Sequence, residues 1–380
     1  MRSIYLDYNA TTPLAPAAQE AMLPYLADRF ADPSSQHAPG RAVGEAIEDA
    51  RVRIADTLGA EADEIVFTSG ATESCNFALR GLIEPAIRAG EPVHLIVSAV
   101  DHAAVQGPAR FLARLGAELT VVPADSRGLV DPQAVHDAMC ASTRLVSIVH
   151  ANDEVGAVQP IAEIAAVCRG EGVLLHTDAA QTLGKRRLDV EELGVDLMSL
   201  SSHKAYGPKG VGALYVRRGV GVEPQIWGDR QELGQRAGTP NVAGVVGFAA
   251  AAALADESRE ASEERMRQLR KKLADRLLAD APDAVVYGPG DDQRLGGTLC
   301  VALPGVGASD LLTAAPDVCA SPCAGGYGDA GAISPTLKAI GAGPPEACGA
   351  IRLSVGWYTD EADVDAAADG LLEGWERLRG

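Results

Sequence analysis

The sequence predicts an α/β fold with a mainly parallel seven-stranded sheet, followed by a smaller C-terminal α+β domain. Apolar runs rich in β-branched residues alternate with helical stretches over residues 64–216. Most of these runs are continuously apolar, which is typical of strands buried on both faces. After residue 241 the chain becomes Ala-rich and then charged, which indicates long helices leading out of the sheet domain. The alternation of strands and helices favours a parallel sheet.

The elements of the large sheet follow from these runs. Seven strands are expected at residues 64–68, 93–98, 119–122, 145–150, 173–178, 196–201 and 212–216. Helical patterns between them lie at residues 72–87, 103–115, 132–140 and 160–170. We therefore predict a large domain over residues 12–255.

The C-terminal part has a different pattern. One or two long helices are expected within residues 241–278, and a final amphipathic helix begins at Asp360. Short strands between them are predicted at residues 284–287, 298–302 and 351–355. A run rich in Gly, Ala and Pro at residues 316–333 is expected to form a mobile loop. We predict a small domain formed by residues 1–11 together with residues 256–380, which carries this loop.

The composition favours a small-molecule substrate or a protein partner over nucleic acid. The formal charge is -19, and phosphate backbones repel such a surface. No apolar stretch of about 18 residues is present, so no membrane span is expected. The first residues lack the apolar run of a signal peptide, which predicts a cytoplasmic protein. The seven cysteines are scattered and lack a CxxC pair, so neither a disulfide framework nor a metal site is predicted.

Two polar segments follow predicted strands at positions that suit a cofactor. The strand at 173–178 ends in Asp178, and an Asp there can hold a proton on a pyridine nitrogen. A helix N-cap is the alternative role. The strand at 196–201 leads into Lys204, whose amine can form a Schiff base with an aldehyde. A lysine in a surface loop is the alternative. Both segments lie where open α/β sheets bind ligands, outside the carboxyl ends of their strands.

Three further segments have a similar placement. Residues 68–74 (TSGATES) form a small-residue turn at a helix start, where free N–H groups bind phosphate. Residues 235–241 (QRAGTPN) can supply a hydroxyl to the same phosphate, and His102 can stack on a planar ring. An ordinary capped helix and a structural histidine are the alternatives. Taken together, the five segments predict a site for pyridoxal 5'-phosphate (PLP).

These segments resemble those of the cysteine desulfurases, which are fold-type I PLP enzymes of aminotransferase class V. The resemblance begins at residues 5–13 (YLDYNATTP) and 33–37 (PSSQH) and includes the five segments above. It ends at residues 351–356 (IRLSVG) and so extends over nearly the whole chain. The resemblance implies a fold-type I PLP-dependent transferase that works as a homodimer.

The resemblance also implies a role for each matching residue. Lys204 is expected to hold PLP as a Schiff base, and Asp178 to pair with the pyridine nitrogen. Gln181 would bind the phenolic oxygen of the ring, and His102 would stack on the ring. Arg352 would bind the substrate carboxylate with its bidentate guanidinium, unless it forms a surface ion pair. The phosphate would be held by Ala71, Thr72, Ser201 and His203, and Thr239 would reach the phosphate in the partner subunit.

The implied reaction converts L-cysteine to L-alanine and leaves the sulfur as a persulfide on an enzyme cysteine, for a sulfur-acceptor protein. Cys323, in residues 320–326 (ASPCAGG), matches the cysteine of the family best, and Cys319 is the alternative. Pro322 replaces a small residue of the family pattern. The Gly-rich surroundings are expected to expose the thiol, as reactivity requires. A resting disulfide between Cys319 and Cys323 is a further hypothesis.

Residues 150–156 (HANDEVG) depart from the family pattern, which commonly has Asn-Asn-Glu. Asp153 takes the place of the asparagine that contacts the cofactor, and a carboxylate donates no hydrogen bond unless it is protonated. Asn152 is therefore a second candidate, as a substrate-binding residue. Two other functions stay open at this point: a PLP-dependent C–S lyase or selenocysteine lyase-like enzyme, and a non-catalytic scaffold that binds partners.

Overall fold

The first elements of the described chain are a short strand and two helices. The computed structural model describes residues 3–323 and 333–379. The chain starts with strand β1 (Ile4–Tyr5), followed by helices α1 (Pro16–Leu26) and α2 (Ala38–Leu58). Helix α2 is capped at its start by His37, whose ring nitrogen accepts the N–H of Gly40. Gly59 ends it in the left-handed conformation that glycine tolerates.

The large sheet has seven strands in the order β2-β8-β7-β6-β5-β3-β4. Strand β8 is antiparallel to both of its neighbours, and the other pairs are parallel. The predicted mainly parallel seven-stranded sheet is thus confirmed. The strands are β2 (Ile65–Thr68), β3 (His94–Ser98), β4 (Glu118–Val122), β5 (Thr143–Val149), β6 (Leu174–Asp178), β7 (Leu197–Ser201) and β8 (Gly212–Val216).

Helices cover both faces of this sheet, which explains why its inner strands are apolar throughout. Every residue of β3, β7 and β8 is buried, whereas the edge strand β4 is partly exposed. The helices within this part are α3 (Ala71–Arg88), α4 (Ala103–Leu115), α5 (Pro132–Asp137), α6 (Ile161–Glu171) and α7 (Val190–Leu193). The long helical region after residue 241 consists of two helices that meet at Ser258, α8 (Val242–Glu257) and α9 (Arg259–Asp280).

The C-terminal part is a smaller α+β unit, as predicted. Its antiparallel sheet has the order β12-β13-β10-β9, and β1 pairs in parallel with β11. The strands are β9 (Val285–Tyr287), β10 (Thr298–Ala302), β11 (Val318–Cys319), β12 (Ser321–Pro322) and β13 (Ala350–Ser354). The helices are α10 (Ala308–Ala314), α11 (Pro335–Ala339), α12 (Pro344–Ala347) and α13 (Glu361–Arg379).

One hydrophobic core belongs to this smaller unit and includes the start of the chain. Ile4 and Leu6 pack with Leu299, Leu353 and Trp375 in a single buried cluster. The proposed domain boundaries, residues 1–11 with 256–380 against 12–255, stay a prediction. None of the described helices combines the length and apolar character that a membrane span requires.

The predicted loop at residues 316–333 is only partly irregular. Strands β11 and β12 occupy its first half, because their backbone groups pair with β1 and β13. The expectation of a continuous loop is therefore wrong for this half. Residues 324–332 lie outside the described part of the chain.

Candidate active site

A cavity of about 520 Å³ lies at the edge of the large sheet where β2, β3, β5, β6 and β7 end. Parallel strands present their carboxyl ends at one edge, so residues far apart in sequence meet there. Lys209 and Glu73 also line the cavity, although sequence reasoning gave them no role. The predicted residues that line it are Ala71, Thr72, His102, Asp153, Asp178, Gln181, Ser201, His203 and Lys204.

Lys204 and Asp178 provide the amine and the carboxylate of the site. Lys204 ends a short 3₁₀ turn after β7, and Asp178 is the last residue of the neighbouring strand β6. The pKa of Lys204 is lowered, because burial outweighs the negative charges of Asp153 and Asp178, which act to raise it. Burial also raises the pKa of Asp178, whose Oδ1 accepts the N–H of Ala180 at 3.0 Å. A lysine with a lowered pKa is more often the free amine that a Schiff base requires.

The start of α3 lines one end of the cavity, which is the end predicted to bind the phosphate. Gly70 precedes the helix with φ of 148° and no side-chain cap, so the first N–H groups of α3 face the cavity without a capping partner. A Cβ atom at Gly212 would lie 2.7 Å from Cα of Gly70, so only glycine allows this close approach. Burial and nearby lysines lower the pKa of His203 to about 4, which leaves a neutral imidazole beside the anion site.

His102, which follows β3, and Gln181, which follows Asp178 at the end of β6, line the same cavity. The Nδ1 atom of His102 accepts the N–H of Ala104 at 3.1 Å and so caps α4, which fixes the ring at the cavity. Gln181 donates from Nε2 to the carbonyl of Asn9 at 2.9 Å, and its Oε1 accepts from Lys185 at 3.2 Å. Both side chains are thus oriented by contacts within the protein.

The residues present fit PLP by the chemistry of their donors. An amine, a buried carboxylate and free helix N–H groups occupy one cavity, and these are the partners of an aldehyde, a ring nitrogen and a phosphate. Lys204 would hold the aldehyde carbon and Asp178 the ring nitrogen. The turn at Ala71 and Thr72 would hold the phosphate with Ser201.

Arg352, the predicted carboxylate-binding residue, is engaged by two protein carboxylates. It lies on β13 and is 8% exposed. Nη1 donates to Asp153 Oδ2 at 2.8 Å, and Nη2 donates to Asp7 Oδ1 at 2.9 Å. The alternative of an ion pair is thus observed in this conformation, but not at the open surface, because Arg352 is buried and both carboxylates are only partly exposed. Asp7 belongs to the N-terminal segment YLDYNATTP, which sequence reasoning noted without giving Asp7 a role.

The hypothesis that Asn152 binds the substrate does not agree with the structure. Asn152 is 2% exposed and does not line the cavity. Its Nδ2 donates to the carbonyl of Val100 and to Thr336 Oγ1, while its Oδ1 accepts the N–H groups of Glu154 and Val155. These four contacts use the whole capacity of the amide. Asn152 therefore shapes the turn that presents Asp153.

The two candidate sulfur carriers, Cys319 and Cys323, do not line the cavity. Cys323 follows β12 and is 5% exposed, and its Sγ lies 3.7 Å from Sγ of Cys300. The contact with Cys300 and burial raise the pKa of Cys323 well above the usual thiol value. The expected exposure of Cys323 is wrong, because its N–H donates to Ala350 and holds it against β13. All seven cysteines are free, so no disulfide joins Cys319 to Cys323.

Thr239 is exposed and does not reach the cavity of its own chain. The segment of Thr239 nevertheless contacts the start of α3, since Arg236 Nε donates to Glu73 Oε1 at 2.9 Å. Glu73 in turn accepts the N–H of Ser69 through Oε2 at 2.8 Å. The opposite charges of Arg236 and Glu73 were visible in the sequence, but their pairing depends on the tertiary fold.

Known proteins similar to this chain identify its family. The aminotransferase class-V family model matches residues 4–367. The cysteine desulfurase IscS of Dictyoglomus turgidum is 40% identical over 380 residues, which is all of this chain and 96% of the relative. A solved NifS-like protein superposes with a TM-score of 0.92 at 34% identity, covering 98% of both chains.

A further structure, of SspA in complex with cysteine, has a TM-score of 0.83 at 35% identity and covers 94% of this chain and all of the other. The C–S lyase and scaffold alternatives are not favoured by these relatives. The chain therefore belongs to the aminotransferase class-V family, among its PLP-dependent cysteine desulfurases.

Proposed function

We propose that the enzyme converts L-cysteine to L-alanine, holds the sulfur as a persulfide on Cys323, and passes it to an acceptor protein. The observation that carries this proposal is the meeting of Lys204 and Asp178 in one cavity. The arrangement of the small sheet supports it, because Arg352 lies on β13 and Cys323 follows the adjacent strand β12. The carboxylate-binding residue and the thiol therefore belong to the same structural unit.

Each residue of the site has a separate task in this proposal, including Arg352, which does not line the cavity itself but contacts Asp153 at its wall. PLP, when bound, withdraws electrons from Cα of the amino acid. The Asp178 carboxylate accepts the hydrogen bond of the ring N–H, and Lys204 takes a proton from the substrate Cα. Arg352 binds the substrate carboxylate through paired N–H groups.

The sulfur transfer uses the Cys323 thiolate. It attacks Sγ of L-cysteine, so that an S–S bond forms and the Cβ–Sγ bond of the substrate breaks. The electron pair stays with the carbon fragment, Cβ takes a proton, and alanine leaves. Cys323 is buried against Cys300, so the proposal requires its segment to move toward the cavity.

The test uses purified PLP-loaded enzyme with L-cysteine and a thiol reductant. We expect equal amounts of alanine and sulfide, and loss of both in Cys323→Ser. Cys319→Ser is the matched control, because Cys319 lies four residues away in the same segment. Unchanged turnover in Cys323→Ser would reject the assignment, and pyruvate with ammonia would indicate a lyase. Transfer of radiolabelled sulfur from Cys323 to a second protein tests the acceptor step.

We further propose that the enzyme is a homodimer in which Thr239 reaches the phosphate in the partner subunit. The exposed position of Thr239 supports this, as do exposed apolar side chains such as Trp227 and Phe30. Hybrid dimers test it, with Lys204→Ala in one subunit and Thr239→Ala in the other. The arrangement predicts one site that carries both changes and one that carries neither, so half of the wild-type activity remains. A monomer in light scattering would contradict the proposal.

We also propose a cytoplasmic location. The seven cysteines are free thiols, which is usual in reducing compartments. Cell fractionation with an antibody to the chain tests this, and recovery with a membrane or an organelle would contradict it.

A further inference from the structure

Arg352 is a single cation between two carboxylates. Its Nη1 lies 2.8 Å from Asp153 Oδ2, and its Nη2 lies 2.9 Å from Asp7 Oδ1 and 3.1 Å from Ser321 Oγ. The three charged side chains are at most 22% exposed, so water screens their interaction only in part. A substrate carboxylate that joined this group without a rearrangement would be the third anion around one guanidinium.

The two carboxylates are held differently. Asp7 does not line the cavity, and Ser321 Oγ lies 3.0 Å from each of its carboxylate oxygens. Asp153 lines the cavity, and within the described residues Arg352 is the one side chain that donates a hydrogen bond to its carboxylate. Asp7 is thus a fixed counter-ion of Arg352. Asp153 can leave Arg352 by giving up a single side-chain hydrogen bond, the one from Nη1.

The surroundings of Asp153 keep it charged and hold its backbone in place. Burial acts to raise the pKa of Asp153, but the charges of Lys204, Arg352 and His102 hold it below its usual value. Its backbone is fixed, since Asn9 Nδ2 donates to the Asp153 carbonyl at 2.9 Å. A carboxylate that leaves Arg352 therefore remains as a negative charge at the wall of the cavity.

We propose that Asp153 determines substrate specificity by occupying Arg352 in the free enzyme and yielding Nη1 only to the carboxylate of an amino acid. This rests on the proposed role of Arg352 in binding that carboxylate. An amino acid brings an ammonium charge into the cavity, which compensates the displaced Asp153. A carboxylate without an amine brings no such charge and leaves Asp153 uncompensated, and an uncompensated charge discriminates against a competing ligand.

The change Asp153→Asn separates charge from shape, because the two side chains have the same size. The probes are propanoate, which has no amine, and L-alanine, and their dissociation constants are measured by calorimetry on the PLP-loaded enzyme. We expect Asp153→Asn to bind propanoate at least about tenfold more tightly than the wild type, which is ~1.4 kcal/mol. The affinity for L-alanine should change by a much smaller factor. Equal propanoate affinity in both enzymes would overturn the inference.

Two further variants distinguish the inference from the proposed function. Glu154→Gln is the matched control, since Glu154 is the next carboxyl in the chain and contacts Ser334 rather than Arg352; it should keep the wild-type propanoate affinity. Arg352→Gln should bind neither probe measurably. If Arg352→Gln binds both probes as the wild type does, the proposed role of Arg352 fails. If it loses binding while Asp153→Asn matches the wild type, only the role of Asp153 fails.

Discussion

The Sγ atoms of Cys300 and Cys323 lie 3.7 Å apart in the hydrophobic core that packs on the small sheet. Cys300 is on β10 and Cys323 follows β12, with β13 between these strands. Both side chains are buried, so neither thiol meets a reagent in solution. The proposed sulfur carrier is therefore kept as a neutral thiol in this conformation.

Alkylation should report this protection. Cys140 is exposed, and hydrogen bonds with Ser142 and Thr143 lower its pKa. In the substrate-free enzyme, iodoacetamide should label Cys140 at least about tenfold faster than Cys323, measured by mass spectrometry of peptides. Cys300→Ala should speed the labelling of Cys323, because it removes the largest cause of the raised pKa. Equal rates for the two cysteines in the wild type would contradict the buried position.

Lys204 should be the lysine that carries the cofactor covalently. Borohydride reduction of the loaded wild type should fix the mass of PLP on the peptide that contains Lys204. The variant Lys204→Ala should show no such adduct and no turnover. Lys209 lines the same cavity, so Lys209→Ala is the matched control and should keep the adduct. An adduct of full yield in Lys204→Ala would exclude this assignment.

The buried ion pair of Arg51 and Glu232 should contribute strongly to stability. Arg51 Nη1 donates to Glu232 Oε2 at 2.7 Å, and Nη2 donates to Oε1 at 3.0 Å. Glu232→Ala leaves the buried guanidinium with the Ile65 carbonyl and the largely exposed Glu48, and it removes the acceptor of the Phe67 N–H. It should therefore lower the free energy of unfolding, measured in urea, by up to about 3–5 kcal/mol. The surface pair of Arg218 and Asp63 gives the control, because Arg218→Met should change the midpoint little. Similar midpoints for both variants would refute the prediction.

His176 should make stability depend on pH. It is fully buried, its ring nitrogens lie 2.7 Å from Ser147 Oγ and 2.9 Å from Ser199 Oγ, and burial lowers its pKa to about 3. Between about 3 and the usual value of 6.5, the unfolded chain binds a proton that the folded chain does not. Stability therefore rises with pH across this window and falls as the pH is lowered through it.

The variant His176→Asn should reduce this slope by up to about 1.4 kcal/mol per pH unit, which corresponds to one proton. Urea unfolding at several pH values within the window measures the slope. His136→Asn, at an exposed position, is the matched control. A slope that is the same in His176→Asn and in the wild type would show that His176 takes up no extra proton on unfolding.

Much of the large domain was predictable because its signals are local. A buried parallel strand is a short apolar run, and the polar residue after it lies at the ligand-binding edge. For that reason Asp178, Lys204 and His102 could be placed together from sequence alone. The bounds of β8, predicted at residues 212–216, agree with the structure at both ends.

The small domain was less predictable because its contacts are distant in sequence. Arg352 and Asp7 are 345 residues apart, and no local pattern indicates their pairing. The burial of Cys323 likewise depends on β12 and β10 flanking β13, whereas its Gly-rich surroundings suggested exposure. The four hydrogen bonds of Asn152 depend on a turn whose shape the residue types alone did not specify.

The parallel pairing of β1 with β11 has a consequence for the order of folding. Ile4 and Leu6 leave the ribosome long before their partners, which include Val318 and residues near Ser354. Contacts between such distant residues carry a large loop-closure entropy and form late. Strand β1 therefore stays unpaired until β11 has been synthesised, and Asp7 pairs with Arg352 only when β13 is complete.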